Sequence, residues 1–270
     1  MFWRFAGLRV CLLASGSKGN SVFIETDESR VLIDAGLSAR EIEKRLAAVS
    51  VAAADIDAIF VSHEHTDHVR GVIPFSNRFK TPVIVHYKTR EVFPDSKRLK
   101  VYREFDSGTS FELKDMVITP FPLAHDAVAP VGFSIETKRG KIGVATDLGI
   151  ATRLVAEHLK GSHVLVLESN HDEEMLRDGP YPWELKQRIR SRHGHLSNSE
   201  SAELLKTLLW KNLEAVFLAH LSEQNNCPGL AEGAARRILG NTALCSPLLV
   251  VGSQHSPSLC FDLVNGPAGS

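Results

Sequence analysis

Between positions 60 and 68 the chain reads Phe-Val-Ser-His-Glu-His-Thr-Asp-His, which packs His63, His65, Asp67 and His68 into six positions directly after an apolar, β-branched run. His63 and His65 are two apart, so on an extended or tightly looped backbone their side chains converge on one cation, while Asp67 and His68 face a second. Neutral imidazole and carboxylate are the ligands that Zn²⁺, Mn²⁺ and Fe²⁺ favour. The competing reading is a polar surface loop rich in histidine. A lone histidine would support it; this density at a strand end does not.

Composition narrows the setting. At 270 residues, 43% hydrophobic and 23% charged, the chain is long enough for a sizeable core and ordinary for a soluble globular enzyme. With 31 basic and 32 acidic residues, the net charge of -1 excludes nucleic-acid binding by a global field, so any such contact must be local. Cys11, Cys227, Cys245 and Cys260 are scattered without a Cys-x-x-Cys pair, which argues against a disulfide scaffold or a thiolate zinc site and for a reducing, cytoplasmic location. The apolar start is interrupted by Arg4 and Arg9 and has no small-x-small cleavage site, so it reads as the approach to a strand over 8–14 rather than a signal peptide. No run approaches the roughly 18 apolar residues of a membrane span, so no membrane partner is expected.

Strands are expected over 8–14, 21–25, 30–34, 58–61, 82–86, 116–125, 131–137, 142–147, 163–168, 215–220, 248–251 and 259–263, with helices over 39–49, 69–79, 151–160 and 230–239 and another after Tyr181-Pro-Trp183. The loop Ser15-Gly-Ser-Lys-Gly-Asn20 lacks Gly-x-x-x-x-Gly-Lys-[Ser/Thr] and leads into a strand, which excludes a Walker-type nucleotide site. Its hydroxyls and amides, with Ser15, Ser17 and Asn20 as candidate substrate contacts, either form a small anion nest or simply connect two strands. Asp34 is either a metal ligand or an organiser of its loop; the second is favoured. The basic stretch over 97–103 is an edge strand protected by charge or a phosphate-contacting rim. Ser197 with Glu200 predicts a capping box. The strand-rich first half and strand-helix second half read as two layers of one domain over 1–264, followed by a disordered tail over 265–270.

Metal-capable residues recur at strand ends: His63, His65, Asp67, His68, His125, Asp147 and His220. Seven groups are too many for one ion. Two ions sharing a carboxylate use them well, one taking His63, His65 and His125, the other Asp67, His68 and His220, with Asp147 between. Two divalent metals, Zn²⁺ or Mn²⁺ since no thiolate enforces zinc, make hydroxide available at neutral pH and stabilise both oxygens of a hydrolytic displacement.

Ser62-His-Glu-His-Thr-Asp-His68 resembles the signature of the metallo-β-lactamase superfamily, and the ordered series Asp34, the cluster, His125, Asp147 and His220 resembles its five motifs over nearly the whole chain. The resemblance implies an α/β fold, the αββα four-layer sandwich, with a dinuclear site at one edge. Asp147, where the true zinc β-lactamases carry Cys, disfavours penicillin hydrolysis. Leu13-Ala-Ser-Gly-Ser-Lys-Gly-Asn-Ser21, Glu168-Ser-Asn-His-Asp172, Tyr181-Pro-Trp183, Gly194-His-Leu-Ser-Asn198 and Leu218-Ala-His-Leu-Ser222 together resemble the bacterial YycJ/WalJ family. That likeness implies a metal-dependent 5′-to-3′ exonuclease acting on double-stranded DNA ends. Glu168, His195 and His220 are also similar to ribonuclease Z, where the matching Glu and His form a proton-relay pair. The 73 positions from Asp147 to His220 leave no room for the inserted domain of β-CASP nucleases, and no long basic arm for tRNA is present.

Under this reading Asp67 orients the attacking hydroxide and accepts its proton, while His195, polarised by Glu168, protonates the leaving oxygen or binds the phosphate; the alternative for His195 is a helix-capping loop histidine. Arg188 and Arg192, from the basic run Lys186, Arg188, Arg190 and Arg192, are candidate backbone contacts with Asn198. The competing enzyme class is a small-molecule ester, thioester or lactone hydrolase with the same ligands, and the competing non-enzyme class a metal-stabilised binding module. Oligomeric state and the role of His171 are not legible.

Overall fold

Along the strand Ala58–Val61, Ala58 and Phe60 point to one face and Ile59 and Val61 to the other, and all four are buried. A strand buried on both faces needs a layer on each side. A computed structural model of the chain describes residues 7–264 and supplies those layers. β1 (Leu8–Ala14), β2 (Ser21–Glu25), β3 (Arg30–Ile33), β4 (Ala58–Val61), β5 (Val83–His86) and β6 (Tyr102–Phe105) form the first sheet. β7 (Phe111–Leu113), β8 (Met116–Pro122), β9 (Val131–Thr137), β10 (Gly140–Ala145), β11 (Val164–Glu168), β12 (Ala215–Ala219) and β13 (Leu248–Val251) form the second, and β14 (Phe261–Leu263) returns to the first. The strand orders are β14-β1-β2-β3-β4-β5-β6 and β13-β12-β11-β10-β9-β8-β7.

Alternation then builds three apolar layers. Leu8, Ile24 and Phe60 of the first sheet meet Phe133, Val166 and Phe217 of the second in the inter-sheet core. The outer face of the first sheet packs on Ile42 and Leu46 of helix Ala39–Ala48 and on Val72 and Phe75 of helix Val72–Phe79. The outer face of the second packs on Val155 and Leu159 of helix Arg153–Leu159 and on Leu204, Leu205 and Leu208 of helix Asn198–Leu208. This is the αββα sandwich.

Direction matters more than layering for the site. β3, β4, β5 and β6 run parallel, as do β10, β11, β12 and β13. Their carboxyl ends therefore collect at one edge of each sheet, the place where α/β folds put ligands.

Three local expectations are corrected. The helix expected over 69–79 is two helices, Thr66–Val69 and Val72–Phe79, because the chain at Gly71 passes close to another loop: its N–H donates to Ala35 O at 2.8 Å, and a Cβ there would lie 2.1 Å from Leu37 O. The basic stretch begins as a 3₁₀ turn, Ser96–Arg98, and only from Tyr102 becomes the outer strand of its sheet. The helix carrying the arginines ends at Ile189, so Arg190 and Arg192 belong to the following turn. Helix Tyr87–Val92 and the short β7 were not foreseen. The Ser197–Glu200 capping box is formed in both directions. Positions 1–6 and the tail over 265–270 lie outside the described residues. Among the described residues no helix is long and apolar enough to cross a membrane.

Candidate metal centre and its cleft

Asp34 follows β3, His63 and His65 follow β4, Asp147 follows β10 and His220 follows β12, so the parallel strands bring them to one edge. Asp34, Asp147 and His220 leave their strands in left-handed backbone, with φ of 61°, 61° and 58°. Such a conformation costs a non-glycine residue about 1–3 kcal/mol and persists where the surroundings enforce it. Here it turns three side chains back over the strand ends toward a common centre.

Four imidazoles have one ring nitrogen anchored and the other turned inward. His63 Nδ1 sits 2.9 Å from Ser62 Oγ, His125 Nδ1 donates to Gly194 O at 3.0 Å, His68 Nδ1 to Asp34 Oδ2 at 2.7 Å and His220 Nδ1 to Glu168 Oε1 at 2.8 Å. Anchoring of this kind fixes the tautomer of the neutral ring, whose lone pair then lies on the inward nitrogen, the arrangement metal-binding histidines require. The inward nitrogens meet: His63 Nε2 is 3.1 Å from His65 Nδ1, which is 3.3 Å from His125 Nε2. Lone pairs facing each other at that distance repel unless a cation or proton lies between them. The ligand atoms of His63, His65 and His125 all lie within 4.8 Å of one another, as do those of Asp67, His68 and His220 and of His63, His68 and Asp147. Asp147 Oδ2, 3.2 Å from His68 Nε2, and His220 Nε2, 3.5 Å from Asp67 Oδ2, are buried without a well-formed hydrogen bond, two strong ligand atoms left unsatisfied. The clusters can hold metal ions.

Electrostatics divides the two clusters. Burial holds His63 well below its ordinary pKa, with His68 adding to the effect, and burial also lowers His125; both are neutral at physiological pH, the form that can ligate a cation. Burial likewise pulls His68 and His220 down, but the carboxylates outweigh it: Asp147 and Asp34 hold His68 well above its usual value, and Asp147, Asp67 and Glu168 push His220 up to about 10. Burial works to raise Asp147, yet His220 and His68 keep it well below the carboxylate range. The carboxylates beside His68 and His220 are thus ionised and attract positive charge.

Glu168, at the end of β11 and without exposed surface, ties the cluster to His195. Its Oε1 accepts from both His195 Nδ1 and His220 Nδ1 at 2.8 Å, while Oε2 accepts from Leu148 N at 3.0 Å and Leu196 N at 3.1 Å. Burial would raise this carboxyl, but the two imidazoles outweigh it and hold it at about 2. His195 is thereby oriented with its other nitrogen toward a cleft of about 250 Å³. The floor of that cleft includes His65, Asp67, His125, Asp147 and His220, and its walls include Ser17, Asn170, Tyr181, Leu185, Arg188 and Ser222.

The structure brings together all seven metal-capable residues, with Glu168 and His195 beside them, but separates the candidate substrate contacts. Ser15 is buried, and its Oγ accepts from His220 N at 2.6 Å. Asn20 is buried too, holding Gly16 N and placing Nδ2 3.2 Å from Asp67 Oδ2 and 3.1 Å from His68 Nε2. The glycine loop is not an anion nest, because Lys18 N and Gly19 N are taken by Gln254 Oε1 and Gly16 O. Asn198 is buried in a network with Ser169 and Asn226 and does not line the cleft. Arg192 is exposed outside it. Ser17 and Arg188 do line it, Arg188 already paired with Asp126 Oδ2 at 2.5 Å. Asp34 accepts Ser62 N, Ser62 Oγ and His68 Nδ1, the pattern of an organiser. His171 is buried and does not line the cleft. Sequence reasoning passed over Asp126, although an acidic residue directly after His125 is a visible signal. It also passed over Gly36, where a Cβ would lie 1.6 Å from Asp67 O, because no local pattern marks it.

The family description "Beta-lactamase superfamily domain" matches residues 29–220. The exodeoxyribonuclease WalJ of Streptococcus pneumoniae is 37% identical over 230 residues, 83% of this chain and 86% of that protein. The exodeoxyribonuclease YycJ of Bacillus anthracis is 33% identical over 241 residues, 86% of this chain and 89% of that protein. Among solved structures, the metallo-beta-lactamase fold protein YhfI of Bacillus subtilis superimposes with a TM-score of 0.74 at 15% identity, over 95% of this chain and 99% of that one. The chain is a member of the beta-lactamase superfamily, in the branch that contains the WalJ and YycJ proteins.

Proposed function

We propose that this protein is a metal-dependent exodeoxyribonuclease that hydrolyses double-stranded DNA from 5′ ends. The observation that carries the reading is the kinship with two exodeoxyribonucleases over more than four-fifths of both chains, supported by the ligand clusters and the Glu168–His195 pair in one open cleft. His63, His65 and His125 would hold one divalent cation and Asp67, His68 and His220 a second, with Asp147 between them. Such a pair, Zn²⁺ or Mn²⁺, supplies Lewis acidity that ionises water near neutral pH and stabilises charge on a phosphoryl oxygen.

The chain's own residues do the rest. Asp67 accepts the proton of the attacking water, its Oδ2 lying 3.5 Å from His220 Nε2 and steadied by Asn20. His195, held by Glu168 through Nδ1, presents Nε2 to the cleft and gives the leaving oxygen its proton as the phosphorus–oxygen bond breaks. Ser17, Asn170, Tyr181 and Ser222 offer polar contacts to the backbone entering the cleft. Contacts of this kind bind without reading sequence.

The test is a labelled duplex with a 5′-phosphate, incubated with metal-stripped protein and added Mn²⁺ or Zn²⁺, beside an Asp67→Ala variant. Progressive release of nucleotides from the 5′ end, lost in the variant, is expected. An intact duplex together with turnover of a thioester or lactone under the same metal dependence would replace this reading with the small-molecule hydrolase.

A further inference from the structure

Remote from the metal centre in chemistry, the edge of the first sheet carries two cysteines that the nuclease reading does not use. β1 and β14 pair antiparallel, with Leu8 opposite Leu263, Arg9 opposite Asp262 and Val10 opposite Phe261. Carried one residue further, this register sets Cys11 opposite Cys260. Leu8, Val10, Phe261 and Leu263 turn to the inter-sheet core, so Cys11 and Cys260 fall on the outer face, and both belong to its apolar layer. Each thiol acts on the titration of the other. Opposed residues of an antiparallel pair have Cα atoms about 4.5–5.5 Å apart, inside the roughly 4.4–6.8 Å that a disulfide spans.

We propose that Cys11 and Cys260 are a peroxide-sensitive thiol pair whose disulfide ties the C-terminal strand β14 to β1. The two partners are chemically unequal, as such a pair requires. Cys11 has no exposed surface, and its sulfur lies 3.5 Å from Ser258 O; Cys260 is half-buried. Contact with the Cys11 thiol lowers the Cys260 thiol, and the Arg9 guanidinium adds to this, while Cys260 and burial raise Cys11. A part-exposed thiol beside a buried resolving partner and a guanidinium is the arrangement that oxidants select.

The steps balance. The Cys260 thiolate attacks one oxygen of a hydroperoxide, breaking the O–O bond, and becomes a sulfenic acid as the other oxygen leaves as alcohol or water. Cys11 sulfur then displaces the sulfenic hydroxyl, which departs as water with the Cys11 proton. Two thiols lose two electrons and the peroxide gains them. The bond secures a three-residue edge strand that Ser258 and the Arg9–Asp262 ion pair otherwise hold. It also anchors the segment that carries Gln254, which holds the glycine loop at the cleft through Lys18 N and Gly19 O.

The experiment treats the full-length protein with stoichiometric hydrogen peroxide, blocks remaining thiols with a maleimide and maps peptides without reduction, beside Cys260→Ser and Cys227→Ser. The expected result is a fall in free thiols from four to two, a linked peptide pair containing Cys11 and Cys260, and full reversal by dithiothreitol. Tm should rise by roughly 5 °C, as expected for closing a long loop in a domain this size. Cys227→Ser should behave as the unaltered protein, and Cys260→Ser should show neither the link nor the shift. Because Cys260 is half-buried, its replacement leaves the core intact. Four free thiols after treatment, a sulfinic acid on Cys260 with Cys11 free, a link from Cys260 to another cysteine, or an unshifted Tm despite the link would each overturn the proposal.

Discussion

Replacing Glu168 by Gln keeps the shape of the side chain and removes its capacity to accept four hydrogen bonds. Two of the donors, Leu148 N and Leu196 N, are backbone groups that cannot reverse. A carboxamide has one acceptor oxygen and one NH₂, so in Glu168→Gln the oxygen must serve the backbone and the NH₂ must face His195 and His220. Both imidazoles can meet it only with a bare Nδ1, which leaves their remaining proton on Nε2. An Nε2–H on His220 cannot ligate a cation, and loss of an anchoring partner typically lowers metal affinity about 10–100-fold. Stability should fall as well. Two charge-assisted hydrogen bonds are worth roughly 1.5–3 kcal/mol each. A carboxyl held at about 2 against an ordinary 4.5 contributes about 3 kcal/mol at neutral pH. Because the folded pKa is depressed, this contribution is complete above 4.5 and fades as pH falls toward 2. Urea denaturation of metal-stripped protein should therefore show a gap of about 3 kcal/mol between unaltered protein and variant at pH 7 that narrows in acid. Zinc competition with a chromophoric chelator reads the affinity. Equal zinc affinity, or a stability gap independent of pH, would refute this placement of protons.

Three further outcomes are expected. Gly36→Ala would put a methyl 1.6 Å from Asp67 O and displace the loop bearing Asp67 and His68, so zinc binding and duplex cleavage should both be lost; an active, zinc-loaded variant would contradict the packing. Asp34→Ala leaves Ser62 N and His68 Nδ1 without their acceptor and should weaken zinc binding about 10–100-fold by calorimetry, with Asp34→Asn intermediate. His171, held by burial at about 4, resists protonation in the fold while the unfolded chain takes up a proton near 6.5. The folded state therefore loses up to about 3 kcal/mol as pH falls from 6.5 to 4, and a His171→Leu variant should show a flatter stability profile over that window in denaturant titrations.

Much of the site was legible because its chemistry is written in short stretches. His63, His65, Asp67 and His68 are neighbours in sequence, and His125, Asp147 and His220 each come shortly after an apolar run that could only be a buried strand. The Ser197–Glu200 cap is equally local. What failed was also local in form but decided elsewhere. Gly71 splits a continuous helical pattern because another loop passes within contact distance. Ser15, Asn20 and Asn198 are polar residues in a suggestive loop or motif, yet each is used to hold backbone or a neighbouring side chain rather than to face the cleft.

Sequence alone therefore determined the ligand types, the alternation that builds two sheets facing one core, and the superfamily those features resemble, since all three depend on residue identity and spacing along a few turns of chain. Tertiary structure decided which nitrogen of each imidazole faces inward. His68 owes its orientation to Asp34, 34 positions away, and His220 to Glu168, 52 positions away. The same is true of Cys11 and Cys260, which read as scattered and lie side by side because the last strand returns to the first. A tautomer and a thiol contact are set by partners, and partners distant in sequence are fixed only when the strands have been placed.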